Sequence, residues 1–244
     1  IDTRALTKRI REHGVMNAVL TTDESKANAE GLKEFFIRDA VPSVTISGTK
    51  VTPSTTKGPR VVLWDFGAKD NIERELLKRG ATVIRMPSHS TCEEILAQKP
   101  DAIMLSNGPG DPEEAQGVIA ELKKLSAHKL PTFGICLGHQ LLALSHGFKT
   151  FKLKYGHRGA NQPARDLVTD RIFITSQNHG YAVDPSTIDA NVAKERFVNS
   201  NDGTCEGIDY VNEPTFSVQF HPEACGGPKD TAYLFDRFFD MMEV

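Results

Sequence analysis

Short apolar segments alternate with helical patterns in the middle of the chain, and this order constrains the fold more than any other feature. From residue 60 the sequence runs RVVLWDFG, KDNIERELLKRG, ATVIRM, TCEEILAQK and DAIMLS, which indicates strand, helix, strand, helix, strand. Strands separated by helices pair in parallel, and the crossover helices cover the sheet. We therefore predict an α/β fold with an open, mostly parallel sheet and helices on both faces.

The alternation continues toward the end of the chain. A helix is predicted around EEAQGVIAELKKLSAH, a strand at LPTFGI, and a second helix at LGHQLLALSHG, which ends at Gly147. FKTFKLK, RIFITSQ and EPTFSVQF are predicted strands, and DTAYLFDRFFDMM is predicted to be a terminal helix.

The first 40 residues have a different character. They contain two helical patterns, and the second, ESKANAEGLKEFFIRDA, places Leu32, Phe35 and Phe36 on one side. The chain opens on Ile1, and IDTRALTKRIREHG is typical of the middle of a fold. We therefore expect this chain to be a fragment of a longer one.

A linker is predicted between the first 40 residues and the main domain. Residues 41–59 are rich in Pro, Ser, Thr and Gly and show no helical period, which is typical of an extended segment. The main domain is therefore predicted to cover residues 60–244.

Charge and cysteine content restrict the classes of partner and compartment. Lys and Arg number 29 against 32 Asp and Glu, so the net charge is -3 and offers no basic field for nucleic acid or anionic lipid. No apolar run approaches the roughly 18 residues of a membrane span. Four cysteines are too sparse for a disulfide framework. We expect a cytoplasmic protein with free thiols and no membrane or nucleic-acid partner.

One cysteine lies where a strand gives way to a helix. In GICLG, Cys136 is flanked by Gly134 and Gly138, which is the G-x-nucleophile-x-G form of a sharp strand-to-helix elbow. The helix amino terminus favours a thiolate, and the NH of Leu137 is a natural oxyanion donor. Free cysteine is also commonly buried for packing alone, so a structural thiol is the alternative.

Two further turns follow predicted strands, where active groups collect in an open α/β sheet. LSNGPGDP contains Gly108 and Gly110, whose backbone can approach a ligand as a second oxyanion donor or simply form a tight turn. VQFHPEAC offers His221 as a base and Glu223 as its orienting partner, the arrangement of a catalytic triad. The alternative for His221 is a surface or capping role.

Metal binding is another use of these residues. Cys136 and His139 are three apart, and His221 and Cys225 are four apart. Zinc sites usually show a fuller pattern of paired ligands, and a glycine elbow has no role in one. We expect no metal at these residues or elsewhere in the chain.

Taken together, GICLGHQLL and FHPE resemble the class I (triad) glutamine amidotransferase family. LSNGPGDP, GHRGANQP, TSQNHGYAVD and QFHPEACGGPKDT narrow the resemblance to the small, glutamine-hydrolysing subunits of carbamoyl phosphate synthetase, over essentially all 244 residues. The resemblance implies that residues 1–40 are the carboxyl-terminal remnant of a smaller amino-terminal domain. It also implies that Cys136 is the nucleophile, His221 the general base and acid, and Glu223 the partner of His221.

The resemblance also implies which residues hold the substrate glutamine. They are Gly108, Gly110, Leu137, Gln140, Asn178, Gly180 and Tyr181. Spacing alone does not indicate the last three, because QNHG is otherwise only a polar turn after a strand, in which His179 could be mistaken for the base.

A large partner subunit is implied as well. It would use ATP and Mg²⁺ to make carbamoyl phosphate from ammonia and bicarbonate, for arginine or pyrimidine synthesis. This chain shows no phosphate-binding glycine loop followed by lysine, and GPGDPEE is acidic where ATP would need positive charge. We expect no cofactor in this chain.

Two other functions compete with this interpretation. An amidotransferase that serves anthranilate or GMP synthesis would share the triad, but the amino-terminal remnant and GHRGANQP disfavour it. A catalytically silent regulatory module would share the fold, but intact Cys136, His221 and Glu223 disfavour it.

Overall fold

The structure is a computed structural model, and it describes residues 1–27 and 29–242. Within these residues one sheet contains ten strands. The strands are β1 (Lys50–Thr52), β2 (Arg60–Asp65), β3 (Thr82–Pro87), β4 (Ala102–Leu105), β5 (Thr132–Ile135), β6 (Thr150–Asp166), β7 (Ile172–Val183), β8 (Ala193–Asn199), β9 (Cys205–Tyr210) and β10 (Thr215–Val218). The helices are α1 (Thr3–His13), α2 (Ala29–Glu34), α3 (Asp70–Lys78), α4 (Cys92–Ala97), α5 (Gln116–Ser126), α6 (Leu137–Ser145) and α7 (Tyr233–Asp240).

A parallel block forms the centre of the sheet. The strand order is β1-β3-β2-β4-β5-β10-β9-β8-β6-β7, and the neighbours from β3 through β10 all pair in parallel. Each link between successive strands from β2 to β5 carries one of the predicted helices. The predicted α/β fold is confirmed.

Alternate side chains of the parallel strands pack into two separate hydrophobic cores, one on each face of the sheet. On β2, Val62 and Trp64 pack with residues of α4, α5 and α6. Val61 and Leu63 point the other way and pack with residues of α3 and α7. Because each strand is apolar on both faces, helices cover the sheet on both sides, as predicted.

An antiparallel arm extends the sheet beyond β10. Strands β9, β8, β6 and β7 follow in that order, each antiparallel to its neighbour. Strands β8 and β9 were not predicted from the sequence, because AKERFVN and CEGIDY carry charges at several positions. Strand β6 includes GHRGANQP and is interrupted by two register shifts.

The amino-terminal region packs loosely. No residue of α1 is buried, and within the second predicted helical pattern α2 covers only residues 29–34. Phe35 and Phe36 lie beyond this helix and are exposed, so the predicted apolar side is wrong. Asn17 Nδ2 donates to the carbonyl oxygens of Leu32 and Phe35, which takes the place of a further helical turn. Asn28, in the same pattern, lies outside the described residues.

The predicted linker is not detached, and its first residues, 41–45, form hydrogen-bonded turns where an extended segment was predicted. Its strand β1 pairs antiparallel with β3 at the edge of the sheet. Thr45 Oγ1 donates to the Asp65 carbonyl oxygen, and the Ile46 NH donates to Asp65 Oδ2. The domain boundaries themselves stay a prediction. Among the described residues, no helix is long and apolar enough to cross a membrane.

Candidate active site

Cys136 occupies a strained position between β5 and α6. Its backbone has φ 54° and ψ −101°, a left-handed conformation that L residues rarely adopt. Such strain persists only where the surroundings enforce it, and it is concentrated at functional sites. The residue is only 5% exposed, so the cysteine is buried.

Both flanking glycines are required by close packing. A Cβ atom on Gly134 would lie 2.9 Å from the Gly138 carbonyl, and one on Gly138 would lie 2.6 Å from the Leu105 carbonyl oxygen. Side chains at these positions would force β4, β5 and α6 apart. The elbow therefore depends on two backbone contacts that only glycine permits.

We expect Gly138→Ala to lower the free energy of unfolding by about 1–3 kcal/mol, because the new methyl group collides with sheet backbone that cannot move. Gly117→Ala on α5 is the matched control. A Cβ there has no heavy atom within 4 Å, so it should stabilise the protein by up to about 1 kcal/mol. Urea unfolding measures the stability of both variants. Equal changes in the free energy of unfolding for Gly138→Ala and Gly117→Ala would contradict the packing argument.

The triad residues meet because β5 and β10 are parallel neighbours. Ile135 pairs with Val218, and the Cys136 NH donates to the Val218 carbonyl oxygen at 2.9 Å. The segment after β10 thus passes beside the elbow and brings His221 to Cys136. His221 Nδ1 lies 2.7 Å from Glu223 Oε1, which leaves Nε2 for the sulfur.

Charge pairing governs protonation in this buried group. Burial disfavours the imidazolium, but Cys136 and Glu223 outweigh it and raise the pKa of His221 to about 10. Burial alone would raise the pKa of Glu223, whereas its pairing with His221 and the Lys69 charge lower it. His221 therefore lies between the Cys136 sulfur and the Glu223 carboxylate, which is the arrangement of an activated cysteine.

The NGPG turn lies directly against the elbow. The Gly138 NH donates to the Ser106 carbonyl oxygen at 3.1 Å, which ties the start of α6 to the end of β4. A Cβ atom on Gly108 would lie 2.6 Å from Leu137 Cδ2. The turn and the first residue of α6 are thus in contact.

The predicted glutamine-binding residues come from three separate elements. Gly108 and Gly110 follow β4, Leu137 and Gln140 belong to α6, and Asn178, Gly180 and Tyr181 belong to β7.

Strand β7 is last in the sheet order, yet it returns to the elbow. Gln140 Nε2 donates to the Tyr181 carbonyl oxygen at 2.8 Å, and the His221 NH donates to the Ser176 carbonyl oxygen at 2.9 Å. Burial and the Asp111 side chain raise the pKa of Tyr181 to about 12, so its hydroxyl stays a donor. The curled antiparallel arm therefore closes one side of the site.

Comparison with known proteins agrees with this geometry. The sequence profile of the family described as "Glutamine amidotransferase class-I" matches residues 62–241. The chain belongs to this family. Its relatives include proteins named carbamoyl phosphate synthase small chain from Staphylococcus saprophyticus (46% identical over 99% of this chain), Clostridium perfringens (49% over 98%) and Symbiobacterium thermophilum (45% over 100%). The resemblance to these small chains is confirmed.

The chain spans 66%, 67% and 69% of the length of those three relatives, in the same order. Among solved structures, it is similar to a Thermoplasma acidophilum protein described as a candidate component of GMP synthase, with a TM-score of 0.67 and 19% identity, over 77% of this chain and 95% of the other. At that identity the likeness supports the fold alone.

Two members of the site were missed in the sequence analysis. Lys69 Nζ lies 3.4 Å from Glu223 Oε1 and 3.2 Å from His221 Nδ1, and Asn71 Nδ2 donates to the Glu223 carbonyl oxygen. Both follow β2, at the same carboxyl edge of the sheet as the elbow that carries Cys136. Their position after β2 was the feature of the sequence that could have identified them as members of the site. Buried Asp65 holds the loop by accepting from the NH groups of Gly67 and Ala68.

The cysteine and histidine pairs considered for metal binding do not form clusters of three ligands among the described residues. His139 is fully buried, and its Nδ1 lies 2.8 Å from Ser217 Oγ. Burial lowers the pKa of His139 to about 3, so this ring is neutral and packs behind the elbow. Cys225 is exposed.

Proposed function

We propose that this chain hydrolyses glutamine to glutamate and ammonia through a thioester on Cys136. The observation that carries the proposal is the buried pair of His221 and Glu223 beside a strained cysteine. A structural thiol needs neither the left-handed backbone nor a histidine held by a carboxylate. Membership of the glutamine amidotransferase family supports the amide substrate.

The reaction follows from the protonation states. The Cys136 thiolate attacks the side-chain amide carbon, and the NH groups of Leu137 and Gly108 stabilise the oxyanion. The His221 imidazolium then gives its proton to the leaving nitrogen, so ammonia departs and the γ-glutamyl thioester remains. Water that has lost a proton to His221 attacks the thioester and releases glutamate. Each NH donor contributes roughly 3–4 kcal/mol to lowering the barrier.

Substrate glutamine would lie between the NGPG turn, α6 and β7. In this proposal Gly108, Gly110 and Leu137 contact its reacting end, and Gln140, Asn178, Gly180 and Tyr181 contact the rest. Gln140 is already fixed, because its amide nitrogen also donates to Gln219 Oε1 at 2.8 Å. A preorganised side chain costs little further entropy on binding.

The ammonia has a use only where it reacts before it is protonated and lost. The relatives are named as small chains of carbamoyl phosphate synthase, which supports a large partner subunit that makes carbamoyl phosphate with ATP and Mg²⁺. Glutamine hydrolysis itself needs no cofactor in this chain. We propose a cytoplasmic location for the complex, since four sparse cysteines suit a reducing compartment.

The test is glutamate release from glutamine by the full-length subunit, with and without its large subunit. We expect release in both cases and a faster rate in the complex with ATP and bicarbonate. Carbamoyl phosphate should form in proportion to glutamate. If glutamate appears but the large subunit neither accelerates it nor yields carbamoyl phosphate, the partner is wrong. If no glutamate appears even in the complex, the chain is a silent regulatory module.

A further inference from the structure

A second cluster of chemically capable side chains lies on the antiparallel arm. His157 on β6, His179 on β7 and Glu206 on β9 are all buried, and their ligand atoms lie within 4.8 Å of one another. The proposed hydrolysis uses none of them. We propose that these residues bind a divalent transition metal ion of the zinc class, which locks the arm together.

Two of the three distances between ligand atoms fit a tetrahedral ion. His157 Nδ1 lies 3.2 Å from His179 Nε2 and 3.2 Å from Glu206 Oε1. Zinc bonds to imidazole nitrogen at about 2.0–2.1 Å, so two ligand atoms of a tetrahedral site lie about 3.3 Å apart. Two imidazoles with one carboxylate is a ligand set that zinc uses.

The outer nitrogen of each histidine already has an acceptor. His157 Nε2 lies 2.9 Å from Asp202 Oδ2, and His179 Nδ1 lies 2.7 Å from the Tyr181 carbonyl oxygen. Metal-bound histidines almost always donate their second NH to a carboxylate or a carbonyl. With the ring proton of each histidine on its outer nitrogen, the lone pairs of His157 Nδ1 and His179 Nε2 face each other.

A fourth acceptor faces the same point. Gln177 Oε1 lies 3.1 Å from His179 Nε2, and its orientation is fixed because Gln177 Nε2 donates to Glu206 Oε2 at 2.9 Å. Gln177 Oε1 therefore adds an amide acceptor beside the two histidines and the carboxylate of the cluster. A proton on His157 Nδ1 can point at only one of the other three, whereas a cation at the centre satisfies all four.

The backbone is shaped to bring these strands close. Strand β6 has a register shift just before His157, and Gly156 within it has φ 70°. A Cβ atom on Gly156 would lie 2.2 Å from the His179 carbonyl oxygen. No motif announces the site, because its ligands come from three strands that are distant in sequence.

Zinc binding is measured by competition with a chromophoric chelator, in a Cys136→Ser, Cys225→Ser background that removes the nucleophile and the exposed thiol as competing ligands. We expect one ion per chain and a zinc-dependent rise in melting temperature. His157→Gln should weaken binding more than roughly 100-fold, and Asp202→Asn, which keeps every ligand, by roughly 10- to 100-fold. Co²⁺ should give the visible absorption of a tetrahedral site.

His146→Gln is the matched control, because His146 Nε2 also pairs with a carboxylate oxygen, Glu213 Oε1, at 2.6 Å. This variant should keep full zinc affinity. Absence of stoichiometric binding in the parent, or equal affinity in the parent and folded His157→Gln, would overturn the proposal. If His157→Gln does not fold, Asp202→Asn is the deciding variant. A zinc affinity equal to that of the parent would then overturn the proposed site. A ¹⁵N spectrum in which His157 stays doubly protonated with zinc present would also overturn it.

Discussion

Replacing Cys136 with serine is expected to slow glutamine hydrolysis by roughly 10⁴-fold or more, as losses of catalytic nucleophiles do. The hydroxyl is a far weaker nucleophile than a thiolate, and a histidine that already carries its proton cannot activate it. Single-turnover glutamate release measures the effect in the full-length protein. The fold should survive, because the oxygen is smaller than the sulfur it replaces.

Cys92→Ser is the matched control for this change. Cys92 is 3% exposed, against 5% for Cys136, but it lies on α4 outside the site. It should retain full activity, and both variants should unfold at similar denaturant concentrations. A glutamine-like electrophile should label Cys136 in native protein ahead of exposed Cys225. If Cys136→Ser hydrolyses glutamine as fast as native protein, the thioester mechanism is wrong.

Much of the fold is visible in the sequence because local and global signals agree there. From Arg60 to Ser145 each strand is a short apolar run and each helix a periodic one, so order alone indicates parallel pairing. The elbow at Cys136 is also recognisable in the sequence, because the glycines that its tight turn requires lie within two residues of the cysteine. The parallel block and its carboxyl edge were therefore predictable.

What the sequence does not reveal depends on tertiary curvature. Strand β7 is the last strand of the sheet, and only the curl of the arm brings Tyr181 to Gln140. No local pattern encodes that curl. Lys69 is different, because its position after β2 pointed to the site, but a lysine at a helix start has an ordinary solvent-exposed interpretation.

Replacing His221 with glutamine is the second change with a large expected effect. Glutamine keeps much of the side-chain volume but cannot transfer a proton, so glutamate release should fall by roughly 10²- to 10⁴-fold. His146→Gln makes the same exchange in a partly buried histidine that pairs with Glu213 away from the cysteine, and this variant should remain active. Comparable losses in both variants would show that the effect is structural.

The stability of the His221→Gln variant tests the direction of the pKa shift of His221. The pKa of His221 rises from the 6.5 of an ordinary histidine to about 10 in the folded protein. Folding therefore favours the protonated ring, and this stabilisation is complete below about pH 6.5 and disappears as the pH approaches about 10. The difference in unfolding free energy between native protein and His221→Gln should shrink across that interval, as measured by urea unfolding at several pH values. A constant difference would mean that no imidazolium is held beside Cys136, and the attacking group would then have to lose its proton to His221 in the reaction itself.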